Sequence, residues 1–336
     1  MIIIIGSSMY VATLDGQYDI KAVKTVKIPA IVVYEELNNF KSWEKWNPML
    51  TENLVNYSDE NSGVGAELFV KFNDEDYSVK TLEVIPNQKI VQQVSLGSKI
   101  SAEGYWVLKE TEHGTEIVWG MHGENSFQQK IYWLLNGSIE QNMLPNYTKG
   151  LAQLEKYLTE KMEEHSFEIK GLVDYGGGFY LYKTTSCRID KLQETIPIYF
   201  NEVAAYMKKN NVESFGHPFV IYHKLDAINK TALISACYPI TERIITEGDV
   251  LTGFMDPIKT FKTVVKGDHK YIREGWAFSN KTLQEKGFIP VENGEAFEVY
   301  KLSKNNTLNP ALWITEIYIP IQPIQPVQPV QPVQIN

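Results

Sequence analysis

A charged segment near the middle of the chain separates two complete sets of predicted strands and helices. This segment, Thr159–Ser166, reads TEKMEEHS and contains few apolar residues. On each side of it, strand patterns are accompanied by at least one amphipathic helix. Since 336 residues are more than one ordinary domain requires, the break predicts two domains, over residues 17–163 and residues 167–321.

The composition limits the partners of these domains. Hydrophobic residues make up 43% of the chain and charged residues 22%, which is enough apolar surface for a full core. The net charge of −9 argues against a nucleic-acid partner and against direct binding to an anionic membrane. The two cysteines, Cys187 and Cys237, lie far apart and form no metal-binding motif. We therefore expect a cytoplasmic protein with no metal and no cofactor.

The two ends of the chain have compositions of their own. The N-terminal MIIIIGSSMYVAT is apolar but has neither the length of a membrane span nor the positive start of a signal peptide. We interpret it as a strand or ordered arm. The alternative is the remnant of a longer membrane anchor. The tail Gln322–Asn336 has a proline at every third residue, which favours polyproline II and predicts an extended, disordered spacer.

The first half reads as one strand, a short helix, five strand-like runs and a closing helix. The five runs lie between Ala66 and His122 and are separated by turn-forming residues. In the closing helix, apolar residues recur at helical spacing from Leu151 to Met162. This order predicts an α+β domain in which a curved antiparallel sheet wraps its last helix.

Two motifs of the first half resemble the START-like, or polyketide-cyclase (SRPBCC), superfamily. They are FKSWEKWNP, at Phe40–Pro48, and LAQLEKYL, at Leu151–Leu158. The resemblance implies a helix-grip fold with a hydrophobic-ligand cavity, although it does not imply one reaction. Aromatic and methionine side chains suit such a cavity, so we expect Trp106, Trp119 and Met121 to line it. The alternative is that these three side chains are ordinary core.

The second half repeats one arrangement twice. A strand, a helix and two further strands run from Phe179 to Ile240, with the helix at Leu192–Lys209. The same order runs from Lys259 to Ile319. The two copies agree in layout and not in residue identity. The pattern predicts a second α+β domain made of two strand–helix–strand–strand halves.

The last predicted strand has a carboxylate in the middle of an apolar run. The segment Trp313–Ile321 reads WITEIYIPI, and Glu316 shares a strand face with Ile314 and Tyr318. A charge on such a face is costly unless it is paired or solvated. Three interpretations remain open: an edge strand with Glu316 in water, a structural ion pair with a lysine or arginine, and a carboxylate that faces a ligand.

Five motifs of the second half, in their order along the chain, resemble the GyrI-like superfamily, the effector-binding domain of AraC-type and MerR-type bacterial regulators. They are GHPFVIYH at Gly216–His223, ACYPI at Ala236–Ile240, VVKGDHKYIREGWAF at Val264–Phe278, EAFEVYKL at Glu295–Leu302 and TEIYIPI at Thr315–Ile321. Those regulators carry a helix-turn-helix domain where this chain has the START-like segment. The role of a DNA-binding regulator is weakened accordingly.

The GyrI-like resemblance also implies a site. Family members with a multidrug pocket use the carboxylate of the TEIY strand to meet cationic aromatic ligands, and in this sequence that carboxylate is Glu316. We expect Tyr318, Trp276 and Tyr300 to be its aromatic neighbours. Aromatic faces attract a cation and so favour the same ligands.

Both resemblances predict a protein that senses or sequesters small hydrophobic or cationic aromatic molecules through two pockets. The alternative is a hydrolase or cyclase that acts on a small organic electrophile, with Glu316 as acid or base. The sequence contains no GxSxG, HExxH or P-loop motif, which favours binding over catalysis. A third class, an interaction protein built around the tail, is supported by the Gln-Pro repeats alone.

Overall fold

The computed structural model describes residues 9–51, 53–72, 75–97, 100–292 and 294–322. The start of the apolar N-terminal run, to residue 8, and the Gln-Pro tail from residue 323 lie outside the described residues. The chain divides into two compact units after Lys161, within the charged segment noted above. That the two halves fold independently stays a prediction. No helix in the described ranges is both long and apolar enough to cross a membrane.

The first unit is an antiparallel sheet accompanied by helices. Its strands are β1 (Gln17–Val26), β2 (Val55–Tyr57), β3 (Glu67–Phe72), β4 (Glu75–Ile85), β5 (Lys89–Leu96), β6 (Ile100–Thr111) and β7 (Gly114–Glu124). Its main helices are α1 (Ala30–Leu37), α2 (Phe40–Trp43), α3 (Phe127–Asn136) and α4 (Ile139–Met162). The strand order is β1-β7-β6-β5-β4-β3-β2. Every neighbour in the sheet except β1 and β7 is also a neighbour in sequence, as in a meander.

An aromatic stack joins the sheet of this unit to α4. The rings of Trp106 on β6 and Trp119 on β7 are stacked with their centroids 4.4 Å apart. Trp119 stacks in turn on Tyr147 of α4, at 4.3 Å. Gly150, one turn further along α4, has no side chain to hold the helix away from the Trp119 ring. The alternation of β6 and β7 therefore places large rings on the face that α4 covers.

Replacing Gly150 with alanine tests this close approach. In an exposed helix interior the change stabilises by about 1 kcal/mol. Here the added Cβ would lie 2.5 Å from Cζ3 of Trp119, so overpacking should instead lower the free energy of unfolding by about 1–3 kcal/mol. Denaturant unfolding of the full chain measures this, with Lys149→Ala, an exposed neighbour, as the control. An increase in stability for Gly150→Ala would contradict the packing described.

The second unit is a larger antiparallel sheet with two long helices. Its strands are β8 (Ser166–Tyr175), β9 (Gly178–Arg188), β10 (Phe219–Asp226), β11 (Thr231–Ile240), β12 (Leu251–Met255), β13 (Ile258–Lys266), β14 (Ala296–Leu302) and β15 (Ile314–Pro320). Its long helices are α5 (Leu192–Lys209) and α6 (Ile272–Glu285). The strand order is β12-β9-β11-β10-β14-β15-β13-β8. With the first unit, this confirms the α+β fold class.

The two halves of the second unit are related by a pseudo-two-fold axis through the β10–β14 pair. Val220 faces Glu298 in that pair, with Phe219 opposite Val299 and Ile221 opposite Phe297. The β10–β11 and β14–β15 pairs have matching registers. So do the β9–β11 and β13–β15 pairs.

These registers fix which residues of the two halves correspond. Val220 corresponds to Glu298, Tyr222 to Tyr300 and Ser235 to Glu316. Thr184, opposite Ser235, and Val264, opposite Glu316, correspond in the same way, and each lies eight residues before the start of its long helix. Ile196 of α5 therefore corresponds to Trp276 of α6. The repeat predicted from layout is therefore a structural repeat with residue-level correspondence.

Candidate functional site

A fully buried carboxylate, that of Glu298, lies at the centre of the sheet of the second unit. Its side chain is 0% exposed. It sits on β14, directly opposite Val220 on the pseudo-two-fold axis. Since side chains alternate along a strand, Glu298 points to the same face as Tyr300, the face that packs against α5 and α6.

Three aromatic donors hold the Glu298 carboxylate. Trp276 Nε1 of α6 donates to Oε1 at 2.5 Å, and the Tyr222 hydroxyl of β10 donates to the same oxygen at 2.9 Å. The Tyr300 hydroxyl donates to Oε2 at 2.7 Å. No lysine or arginine pairs with Glu298 among the described residues. The group is thus a buried acid whose partners are all neutral.

Burial raises the pKa of Glu298, because a charged carboxylate is poorly solvated there. The hydrogen bonds from Trp276, Tyr300 and Tyr222 work in the opposite direction and offset part of the effect. The charge becomes easier to hold when a further donor or a cation arrives. The carboxylate is therefore a polar anchor in an apolar setting.

Above this carboxylate lies a groove of about 800 Å³. Its walls are the first turns of α5 and α6, and β10 and the turn after it complete the lining. The apolar and aromatic lining residues are Ile189, Leu192, Tyr222, Leu225, Ile272 and Trp276. Two of these, Tyr222 and Trp276, are the groups that donate to Glu298 Oε1. The carboxylate thus lies directly beneath the groove floor.

The equivalent positions in the first half of the unit carry no such polar cluster. In the first half, the positions of Glu298 and Trp276 are taken by Val220 and Ile196, which pack in one apolar cluster. The same architecture is therefore built once with an apolar pair and once with an acid and an indole donor. A buried polar group that the scaffold can replace by an apolar one is a candidate for function.

Glu316 occupies the opposite face of the same sheet. Lys262 Nζ lies 2.8 Å from its Oε1, and the Tyr318 hydroxyl donates to Oε2 at 2.6 Å. Partial burial opposes ionisation, but the hydrogen bonds from Lys262 and Tyr318 outweigh it and lower the pKa of Glu316. Of the three open interpretations, the structural ion pair describes what the structure contains.

The predicted site residues of the second unit therefore fall into two groups. Tyr318 is a neighbour of Glu316, as expected. Trp276 and Tyr300 instead bond to Glu298, on the helix-covered face. The signal that singled out Glu316 was a carboxylate inside an apolar strand, and Glu298 in AFEVYKL carries the same signal. Sequence reasoning omitted it because alternation alone does not tell which face the helices cover.

The predicted cavity residues of the first unit are tightly packed. Trp106 and Met121 are 0% exposed and Trp119 is 5% exposed. Trp46 closes the same cluster, with its ring centroid 6.0 Å from that of Trp119. This packing is what the core interpretation describes, and a ligand role for these side chains stays a prediction. Among the described residues, no group of three acidic, histidine or cysteine side chains is arranged to hold a metal ion.

Comparisons with known proteins give similarities of structure only. No protein-family model matches the chain, and no curated protein matches it. A cryo-EM structure of an EcmrR–DNA complex is similar with 17% identity and a TM-score of 0.41, over 58% of this chain and 70% of that chain. The crystal structure of the EcmrR C-terminal domain is similar with 17% identity and a TM-score of 0.40, over 47% of this chain and 98% of that chain. The crystal structure of protein CV1439 from Chromobacterium violaceum is similar with 15% identity and a TM-score of 0.34, over 42% of this chain and 96% of that chain. At these values no function is transferred to this chain.

The two carboxylates predict opposite effects of pH on stability. The pKa of Glu298 is raised above the ordinary 4.5. Its stabilising contribution to the free energy of unfolding is therefore complete below pH 4.5 and is lost as the pH rises through the pKa of the folded state. The pKa of Glu316 is lowered, so its contribution is present above 4.5 and is lost as pH falls through the folded pKa.

Urea unfolding of wild type, Glu298→Gln and Glu316→Gln across acidic and neutral pH measures these contributions. In wild type, Glu298 should make the free energy of unfolding fall as the pH rises above 4.5, with a slope of at most about 1.4 kcal/mol per pH unit. This fall should be absent in Glu298→Gln. In wild type, Glu316 should make the free energy of unfolding fall as the pH drops below 4.5, and this fall should be absent in Glu316→Gln. Identical pH slopes in the two variants would contradict the assignment of the two environments.

Proposed function

We propose that the second unit is a binding module for small aromatic amphiphiles, which occupy the groove between the first turns of α5 and α6. The observation that carries the proposal is the buried Glu298 carboxylate beneath that groove, held by aromatic donors alone. Pockets for small molecules typically combine apolar and aromatic walls with a few placed polar groups. The groove has this composition.

The chemistry of the floor indicates what a ligand offers to it. A carboxylate accepts hydrogen bonds, so the ligand presents an N–H or O–H donor, or a cationic group, towards Glu298. It reaches Oε1 by taking the place of the Trp276 indole or the Tyr222 hydroxyl. The ring of the displaced side chain then remains available to contact the body of the ligand.

The break in the pseudo-symmetry supports a functional reason for the cluster. A buried acid costs free energy relative to a well-packed apolar pair, and the first half of the unit uses Val220 and Ile196 at the equivalent positions. Retention of the costly pair in one half is expected when that half meets a ligand. The GyrI-like resemblance is consistent with this, since Glu298 lies in the EAFEVYKL motif. The ligand-facing carboxylate that this resemblance implied is accordingly proposed to be Glu298 in place of Glu316.

A catalytic role remains the alternative for this chain. The original candidate, Glu316, has a lowered pKa and a lysine partner, so it is a poor general acid near neutral pH. Glu298, with its raised pKa, is better suited to exchange a proton with a bound molecule. Binding is nevertheless favoured, because the three partners of Glu298 are neutral side chains and none is arranged as a nucleophile.

Titration with phenylnaphthylamine tests the binding function. This neutral aromatic amine carries one N–H donor, and its fluorescence rises in an apolar site. Wild type should bind it saturably, with one site per chain. Glu298→Gln should weaken binding about tenfold, equivalent to about 1.4 kcal/mol, because the amide presents an NH2 group in place of one of the two carboxyl oxygens that can accept from the ligand.

Two further variants make the result specific. Glu316→Gln is the control, because Glu316 lies on the face of the same sheet opposite to Glu298. This variant should leave the affinity for the dye unchanged. Trp276→Ile introduces the residue of the equivalent position in the first half and should weaken binding by a factor similar to that of Glu298→Gln. Equal affinities in wild type, Glu298→Gln and Trp276→Ile would exclude the groove as the binding site.

A further inference from the structure

The groove above Glu298 has a charge opposite to that of the chain. Its lining contains four cationic side chains and one acidic side chain: Arg188, Lys230, Lys270, Arg273 and Asp190. The whole protein has a net charge of −9. A local excess of positive charge around an apolar groove raises the local concentration of anions and disfavours cations.

Two of the four cations have no ion-pair partner in the described part of the chain. Arg188 makes a two-pronged pair with Asp190, at 2.9 and 3.0 Å. Lys270 is hydrogen-bonded to Glu163. Lys230 and Arg273 are exposed and form no such pair among the described residues. They are therefore available to a ligand.

The available cations stand beside the apolar wall. Arg273 lies on the first turn of α6, three residues before Trp276, so both side chains point to neighbouring positions on one helix face. Lys230 follows β10 in the turn that also lines the groove. The position equivalent to Arg273 in α5 is held by a neutral side chain, Gln193, which also lines the groove.

We infer that the ligand of this groove is an anionic amphiphile: an aromatic or alicyclic body that lies on Ile189, Leu192, Ile272 and Trp276, with a carboxylate or sulfonate at the rim beside Arg273 and Lys230. The inference rests on the proposed binding function and specifies the charge of the ligand. The donor that meets Glu298 and the anion that meets the rim belong to different parts of one molecule. A ligand whose only charge is positive meets the cationic rim before it reaches the carboxylate.

A matched pair of dyes tests the charge preference. The anionic dye is 6-anilinonaphthalene-2-sulfonate and the neutral dye is N-phenyl-2-naphthylamine, so the two share their rings and their N–H donor. The sulfonate stands on the end of the naphthalene remote from the N–H. Each exposed cation at close range contributes about a threefold gain in affinity. Wild type should therefore bind the sulfonate about tenfold more tightly than the neutral dye. At about 1 M salt, where the screening length falls to about 3 Å, this preference should disappear.

Substitutions at the rim locate the preference. Arg273→Gln introduces the residue of the equivalent position in α5. It should lower the affinity for the sulfonate dye about threefold and leave the affinity for the neutral dye unchanged. Arg273→Gln combined with Lys230→Gln should remove the preference. Lys281→Gln is the control, because Lys281 lies on the same helix, is largely exposed and is not part of the groove lining.

The possible outcomes separate this inference from the proposed function. If phenylnaphthylamine binds and Trp276→Ile weakens it, but the sulfonate binds no better or Arg273→Gln changes nothing, the anionic ligand is excluded and the binding function stands. If Trp276→Ile changes the affinity for neither dye, the dyes do not occupy the groove, and both the proposed function and this inference fail. A sulfonate preference that is lost in Arg273→Gln and kept in Lys281→Gln supports the inference.

Discussion

The hydrogen bonds between Glu298 and three aromatic side chains are the interaction on which the account of the second unit depends. A carboxylate without solvent is stable only if its oxygens are satisfied. Trp276 comes from α6, Tyr222 from β10 and Tyr300 from β14 itself. The acid therefore fixes the position of a helix relative to two central strands, and it does so at the floor of the groove.

The pseudo-two-fold axis gives this cluster an internal reference. Because the central strands and the long helix of one half have counterparts in the other, a departure from symmetry can be recognised without any other protein. Val220 and Ile196 show that the frame accepts an apolar pair, and Gln193 shows that it accepts a neutral side chain at the position of Arg273. The acid, the indole and the arginine all belong to the second half. These three departures from symmetry lie around one groove.

The sequence allowed much of the fold to be predicted, since periodicity is a local property. The helix Leu192–Lys209 has the predicted bounds, and the two-fold layout of the second half follows from the order of its strands and helices. Two elements were missed. β12 is only five residues long and contains a glycine, so it shows little alternation, and α3 has an apolar stripe but no buried residue.

The site was predicted only in part, because it depends on which face of the sheet the helices cover. Glu298 and Glu316 are both single carboxylates in apolar strands, and alternation treats them alike. Trp276 and Tyr300 were predicted as aromatic neighbours of Glu316, but both donate their hydrogen bonds to Glu298. The cationic rim comes from segments far apart in sequence, so composition gave no indication of it.

Removing the whole polar cluster tests most directly whether it serves binding or folding. The variant that combines Glu298→Val and Trp276→Ile with Tyr222→Phe and Tyr300→Phe gives the second half the apolar pair of the first and leaves no orphaned donor. Exchange of a buried polar network for apolar residues of similar shape is commonly neutral or stabilising. The account predicts that denaturant unfolding of this variant gives an unchanged or higher free energy, while binding of aromatic amphiphiles is lost. A large loss of stability with binding retained would contradict it, because the cluster would then be part of the scaffold.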